Sequence, residues 1–311
     1  MPDPLVLERF FAAVRSGEAK EEVAYSTAAF GSFGEEESLR AIAFLVARGE
    51  AGDTYAVETL GALGREEALA PLLAFTQRPG ALGAAAARAL VDLRSALGQQ
   101  PEPETVERVA RSALDQGAVG SGMSAYRLRF LDGRTAIDGL IEALGSPYAT
   151  TRANASLGLR EKLGVEALIE PRQAPMWSLL MRVMSELEAV WMPAAAEAQR
   201  QMRALADGAS PEDLGLVYAR ASDEADIAAF WTSAGNHALP WDLDAYHRLS
   251  GHDRAWAESF MLAKIWDRPQ SAAVVLDLGL DGARAAVEEA ARRAGSSPFM
   301  PQFRQALDRK P

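Results

Sequence analysis

The sequence contains no cysteine in 311 residues, and its only histidines are His237, His247 and His252. Disulfide bonds and cysteine-based zinc sites are therefore excluded. Lysine is also scarce, since it accounts for four of the 32 basic residues. A metal site would have to be built without thiolates and with at most three imidazoles, so we expect neither a metal nor another cofactor.

The chain also lacks a run of about 18 apolar residues, the length that a membrane-spanning helix requires. Its first residues, Met1–Pro4, include none of the basic residues that open a secretory signal. We therefore expect a cytoplasmic protein that makes no membrane contact.

Positive charge is in deficit throughout the chain, which has a formal net charge of −11. Residues 1–170 contain 24 acidic and 17 basic residues, and residues 171–311 contain 19 and 15. Because affinity for nucleic acid comes largely from lysine and arginine, this balance disfavours a nucleic-acid partner. A local basic patch is still compatible with these totals, and the acidic total favours a basic protein partner.

Apolar residues recur at helical spacing along the chain, and no stretch alternates with the period of a β-strand. The sequence therefore predicts an all-α fold. Residues 1–34 are predicted to form an N-terminal helical cap, with one helix from Asp3 to Gly17 and a second over residues 19–30. Residues Gly31–Gly34 should end the second helix.

The most informative feature is a phrase that occurs twice. Residues 56–73 read AVETLGALG followed by REEALAPLL, and residues 132–157 read DGRTAIDGLIEALGSP followed by YATTRANASL. The phrase resembles the junction between bacterial HEAT-like repeats of the kind first grouped with bilin lyases. In that family one helix ends in ALGxLG and the next begins with xxALxPLL. Arg152, Ala155 and Leu157 fall near the positions expected for the second helix of a repeat, with Thr151 where an apolar residue is usual.

This resemblance implies an α-solenoid of stacked antiparallel helix pairs over residues 35–168, within a predicted domain of residues 35–170. We place the first helices of four repeats at Glu36, Glu66, Glu104 and Arg134, which are 30, 38 and 30 residues apart. The polar insertion Gln99–Pro103 accounts for the longer spacing. Small residues at the junctions let helices approach closely, and leucines fill the seam between repeats.

Residues 171–311 form a third predicted region, which holds all six tryptophans. It reads as degenerate repeats continuing the solenoid or as a separate bundle, and we favour the first. The helices predicted there cover residues 176–206 with a bend at Pro193, 211–221, 223–235, 242–250, 252–267, 270–278, 281–294 and 299–309. An apolar stripe from Trp177 to Trp191 reads as core rather than as a groove for a partner helix.

Candidate catalytic chemistry is weak. His237, His252, Asp253 and Asp267 can be aligned with the metal site of HD-type phosphohydrolases, but the first spacing is too short. Gly251–Asp253 is more typical of a helix N-terminus, where the helix dipole favours an acidic residue. The glycine-rich segment Gly117–Gly122 follows no strand and is expected to be a turn. We predict no catalytic residues.

The candidate binding residues are Tyr126, Arg127, Arg129 and Arg152, which lie on predicted second helices. In HEAT-type solenoids these helices line the concave face, and exposed tyrosine and arginine are common interface anchors. For Arg152 we favour the alternative that it pairs with an acid of the neighbouring repeat.

The sequence thus favours a non-enzymatic scaffold, adaptor or inhibitor that binds a partner protein on a concave surface. An alternative is an enzyme on a HEAT-like scaffold, resembling either the alkylpurine DNA glycosylases or the bilin lyases.

Overall fold

A computed structural model describes residues 4–21, 23–115, 117–165, 175–216, 222–236 and 240–308. These residues form 17 α-helices and no β-strand, which confirms the all-α prediction. Extended pairing within them is limited to one antiparallel bridge, between Lys20 and Tyr25. No helix in these ranges is both long and apolar enough to span a membrane.

The chain divides into two compact units, an N-terminal unit of residues 1–143 and a C-terminal unit of residues 144–311. The domain boundary that we predict at residue 170 lies outside the described residues, so it stays a prediction. Each unit is considered by itself below.

The part of the N-terminal unit that the structure describes forms eight α-helices, and their starts follow the predicted repeats closely. Helices α3, α5 and α7 pack on one another in chain order, while α6 packs on α7 and α8. A short 3-10 turn at Glu66–Ala68 precedes α4. The helices are α1 (Pro4–Ser16), α2 (Glu35–Glu50), α3 (Thr54–Ala62), α4 (Leu69–Thr76), α5 (Gly80–Ala96), α6 (Pro103–Asp115), α7 (Ala118–Leu128) and α8 (Arg134–Ala143).

Glycine allows these helices to approach closely, as the repeat phrase predicts. A Cβ atom on Gly61 of α3 would overlap the backbone of Ala89 in α5, and one on Gly139 of α8 would crowd Ala110 in α6. Leu60 and Leu140 are fully buried beside these contacts. The phrase therefore encodes helix packing in this unit.

Two expectations for the N-terminal unit are wrong. The predicted helix over residues 19–30 is replaced by the bridge and by a 3-10 helix at Ala28–Ser32. The reason is Tyr25, whose backbone N–H donates to Thr59 Oγ1 at 2.8 Å and whose hydroxyl donates to Asp53 Oδ2 at 2.8 Å. These tertiary bonds hold the segment against α3. The glycine-rich segment is no turn, because α7 starts directly after Gly117.

The described residues of the C-terminal unit form nine α-helices around a core that includes Phe230, Trp241, Tyr246 and Phe303. Helix α10 packs on α11 and α14, and α16 packs on α11 and α17. The helices are α9 (Ala149–Lys162), α10 (Pro175–Val183), α11 (Glu188–Ala206), α12 (Glu224–Gly235), α13 (Leu243–Arg248), α14 (Gly251–Ala263), α15 (Ser271–Asp277), α16 (Ala283–Ala294) and α17 (Met300–Leu307).

The long helix predicted over residues 176–206 breaks after Val183 rather than at Pro193, which lies inside α11. The carboxylate of Glu289 accepts hydrogen bonds from the backbone N–H groups of Glu188 and Ala189, both at 2.8 Å, and so caps the start of α11. Residues 211–215 form a turn and Leu216 is irregular, where a helix over 211–221 is predicted, and residues 217–221 lie outside the description.

The apolar stripe is therefore shared between α10 and α11. Leu180, Leu187 and Trp191 are buried, and Trp177 and Met181 are half-buried. This placement agrees with the core interpretation.

Candidate functional site

An apolar stripe on the outside of α7 is the most distinctive surface in the N-terminal unit. Val119, Met123, Tyr126 and Phe130 recur at intervals of four, three and four residues, which places them along one face of the helix and its last turn. Val119 is 57% exposed, Tyr126 41% and Phe130 62%, whereas Met123 is half-buried. We call these four residues the α7 surface.

An aromatic pair forms one end of the α7 surface. The rings of Tyr126 and Phe130 meet edge to face with their centroids 5.1 Å apart. The guanidinium of Arg129 lies over both rings, 5.6 Å from the centroid of Tyr126 and 5.4 Å from that of Phe130. Two of the sequence-predicted binding residues, Tyr126 and Arg129, thus lie together, and Phe130 joins them.

Arg127 does not share this surface, and the expectation that it is exposed needs correction. The side chain points into the unit and the residue is only 7% exposed. Its Nη2 donates to Asp92 Oδ2 at 2.5 Å and to Glu58 Oε2 at 3.4 Å, and its Nε donates to Asp92 Oδ2 at 3.1 Å. Asp92 and Glu58 come from α5 and α3, so Arg127 ties three helices together.

The same buried network continues through Arg88 of α5. Its Nε donates to Glu58 Oε1 at 2.7 Å, and its Nη1 donates to Ser124 Oγ at 3.3 Å. Burial raises the pKa of Glu58, and the guanidiniums of Arg88 and Arg127 oppose that rise. With two acids held by two arginines, the network is balanced in charge and its carboxylates are occupied. Its chemistry is that of a structural brace rather than of an acid–base site.

Arg152 is also buried, with 1% exposure, and its donors do not go to an acid as we expected. They go to main-chain oxygens: Nε to Val183 at 2.6 Å, Nη1 to Ser146 at 2.8 Å and Nη2 to Ser185 at 2.6 Å. The guanidinium also stacks on the face of Trp191, 4.2 Å from a ring centroid. Burial lowers the pKa of Arg152 to about 10, so the group is still charged near neutral pH. Arg152 therefore holds the break between α10 and α11 and does not reach the surface.

The residues weighed for an HD-type metal site have other environments where they can be described. Asp253 is buried in the first turn of α14 and accepts a hydrogen bond from the Ser222 N–H at 3.2 Å, and Asp267 pairs with Lys264 at 2.8 Å. His237 and the side chain of His252 lie outside the description. In the described part of the chain, no three histidine or acidic side chains come together in a way that could hold a metal ion.

The sequence analysis missed Phe130 and Val119. The spacing could have revealed them. Phe130 lies four residues after Tyr126 and Val119 lies seven before Tyr126, and residues at these intervals share one face of a helix.

Comparisons of the chain with protein-family models, with curated proteins and with solved structures find no match. The HEAT-like assignment therefore stays a prediction from the repeat phrase, and the functional argument depends on the geometry above.

Proposed function

We propose that this chain is a non-enzymatic binding protein, a scaffold, adaptor or inhibitor, that holds a partner protein on the α7 surface. The observation that carries the proposal is the exposed pair Tyr126 and Phe130 with Arg129 stacked over both rings. Tyrosine and arginine are enriched among residues that dominate binding energy in protein interfaces. Large apolar side chains grouped on a soluble surface are typical of interaction sites.

The α7 surface is also rigidly supported. Directly beneath it, Arg127 connects α7 to Asp92 of α5 and Glu58 of α3 through buried ion pairs. A fixed helix presents its anchors with little conformational entropy to lose on binding, which favours affinity. In this proposal Arg127 supports the surface while Tyr126 and Phe130 contact the partner.

We further propose that the N-terminal unit is a HEAT-like solenoid. The packing of α3, α5 and α7 in chain order supports it, because second helices of successive repeats stack in this way. In such a solenoid α7 would belong to the concave layer, where a partner can be held over a long curved surface.

The proposed partner is a basic protein with an apolar segment that covers the aromatic pair. The N-terminal unit has 21 acidic and 14 basic residues, so its long-range field attracts positive charge. Asp132 is exposed two residues beyond Phe130 and supplies negative charge next to the apolar contact. Association should therefore slow as salt rises from 0.1 M to 1 M, since the Debye length falls from about 10 Å to about 3 Å.

The test uses three forms of the full chain as bait: wild type, the double variant Tyr126→Ala with Phe130→Ala, and the control Phe299→Ala. Phe299 is a matched aromatic residue of the C-terminal unit that is 46% exposed. A protein retained by wild type and by the control but lost with the double variant is identified by mass spectrometry and purified. Titration calorimetry then measures its affinity for all three forms.

The proposal predicts that the double variant binds at least about 30-fold more weakly, which corresponds to about 2 kcal/mol. Its melting temperature should equal that of wild type. Affinity within twofold of wild type would contradict the proposal. The proposal would also be contradicted if Phe299→Ala lost as much affinity as the double variant. The same holds if all three baits retained the same proteins.

A further inference from the structure

A cavity of about 370 Å³ lies in the N-terminal unit, where α4 ends, α5 begins and α6 ends. Its volume is within the range of small-molecule sites, roughly 300–1,000 Å³. Its lining includes Arg78, Gly80, Gly83, Arg108, Arg111 and Asp115. Three arginines therefore line one cavity in a chain whose net charge is −11.

The three arginines differ in how far the protein itself uses them. Arg111 pairs with the exposed Glu107 at 2.7 Å. Arg108 donates to the carbonyl oxygen of Thr76 at 2.8 Å and to Gln77 Oε1 at 3.4 Å, both neutral acceptors. The side chain of Arg78 has no hydrogen bond or ion pair to any residue that the structure describes. Among the described residues, the side chains of Arg111 and Arg108 thus have partners, and that of Arg78 has none.

The charge of the lining is positive, because Asp115 is the only carboxylate among its described residues. This is the local basic patch that the acidic totals leave possible. A positively charged cavity in an acidic protein selects for a compact anion rather than for a polyanion, which the rest of the surface would repel.

The backbone adds hydrogen-bond donors at the same place. The first four N–H groups of an α-helix have no partner within the helix, and α5 starts at the cavity with Gly80. Gly80 has φ of +71°, and a Cβ atom at Gly83 would overlap the carbonyl oxygen of Arg78. Gly80 is exposed with no atom near its missing Cβ, so the first turn of α5 is open at that position, whereas the carbonyl oxygen of Arg78 packs against Gly83. A helix N-terminus favours negative charge.

We propose that this cavity binds a phosphate group, either free phosphate or the phosphate of a small monoester. Guanidinium forks match the oxygens of a phosphate geometrically, and a dianion gains more from several cations than a carboxylate does. The cavity exceeds the size of the anion itself and leaves room for a small organic group. This site is separate in its residues from the α7 surface, and neither proposal depends on the other.

The test is titration calorimetry of the full chain with inorganic phosphate and with glucose 6-phosphate, using glucose as the uncharged reference. Wild type should bind one phosphate group per chain, and the stronger of the two ligands identifies the source. Arg78→Gln should weaken binding about tenfold or more, as expected for loss of a charge-assisted pair. Its melting temperature without ligand should be unchanged, because the side chain of Arg78 makes no bond to any described residue.

Arg65→Gln is the matched control, since Arg65 is a half-exposed arginine of the same unit that pairs with Glu67 outside the cavity. It should bind phosphate like wild type. The proposal is overturned if neither phosphate ligand binds at millimolar concentration. It is also overturned if Arg78→Gln binds as tightly as wild type, or if Arg65→Gln loses as much affinity as Arg78→Gln. The phosphate affinity of Arg108→Gln provides a second test. If that variant does not fold, the affinity of Arg78→Gln alone decides whether the proposal stands.

Discussion

The two units bury arginine in different ways. In the N-terminal unit, Arg88 and Arg127 are held by the carboxylates of Glu58 and Asp92. In the C-terminal unit, Arg152 donates to three main-chain oxygens and stacks on Trp191, and Arg268 donates to the carbonyl oxygen of Ser233 while it lies 4.0 Å from a ring centroid of Trp241.

The difference follows from how the helices end. In the N-terminal unit the helices pack side by side in chain order, so a charged side chain in the core meets side chains of neighbouring helices. In the C-terminal unit the helix breaks at 184–187 and after Gly235 leave carbonyl oxygens inside the unit. A buried carbonyl oxygen needs a hydrogen-bond donor. A guanidinium can supply several N–H donors at once, while the face of a tryptophan ring covers the flat side of the guanidinium. Helices packed side by side therefore favour ion pairs, and interrupted helices favour arginine bound to the main chain.

The largest effect that this comparison predicts is for Arg152→Met in the C-terminal unit. Three carbonyl oxygens would lose their donor, and leaving a buried polar group unsatisfied costs about 1–3 kcal/mol each, so we expect a loss of about 3–5 kcal/mol in the free energy of unfolding. Arg152→Lys should recover only part of this loss, because one ammonium group cannot reach all three oxygens. Chemical denaturation provides the measurement.

Arg292→Met is the control for that variant, since Arg292 is an exposed arginine of the same unit. Its unfolding curve should superimpose on that of wild type. If Arg152→Met also unfolds like wild type, the carbonyl oxygens do not depend on this guanidinium and the comparison between the units fails.

A smaller effect should depend on pH and should arise from a carboxylate of the N-terminal unit. Burial by itself raises the pKa of Asp53, but hydrogen bonds from Tyr25, Arg48 and the Ala56 N–H outweigh it and lower the pKa below its ordinary value. A carboxylate with a lowered folded pKa stabilises the fold above its unfolded pKa, about 3.9, and loses that contribution as the pH falls through the folded value.

Asp53→Asn isolates this contribution, because asparagine still caps α3 but has no charge. Wild type should be more stable than the variant by about 1–2 kcal/mol at neutral pH. That difference should shrink towards zero as the pH falls below about 4. Denaturation curves over this pH range measure it, with Tyr25→Phe as a comparison that keeps the carboxylate and removes one donor. A difference that is independent of pH would mean that the charge of Asp53 does not stabilise the fold.

The sequence predicts helix ends and close helix contacts well where the residues that determine them are near one another in the chain. Gly17 ends α1 with φ of +82°, and the repeat phrase places Gly61 at a close helix contact. It fails where a distant residue decides. Glu289 fixes the start of α11 from about 100 positions further along the chain, and Tyr25 replaces a predicted helix through bonds to α3.

The candidate site shows the same limit. Tyr126 and Arg127 are neighbours in sequence but point about 100° apart around a helix, so at most one of them faces the interior directly. The choice is made by Glu58, 69 positions earlier, and by Asp92, 35 positions earlier. Glu58 lies among the apolar residues of α3, and a carboxylate in that position is the signal that a buried cation must meet it.

The smallest expected effect on stability is at Tyr126, and its contrast with Arg127 tests the central claim, that α7 has a binding surface outside and a brace inside. The measurement is the free energy of unfolding of Tyr126→Ala beside that of Arg127→Met. Arg127→Met removes the partner of Asp92 and one of the two guanidiniums that hold Glu58, and it should cost about 1.5–3 kcal/mol, whereas Tyr126→Ala should stay within about 0.5 kcal/mol of wild type. Equal losses, or a larger loss at Tyr126, would place Tyr126 in the core and contradict the account.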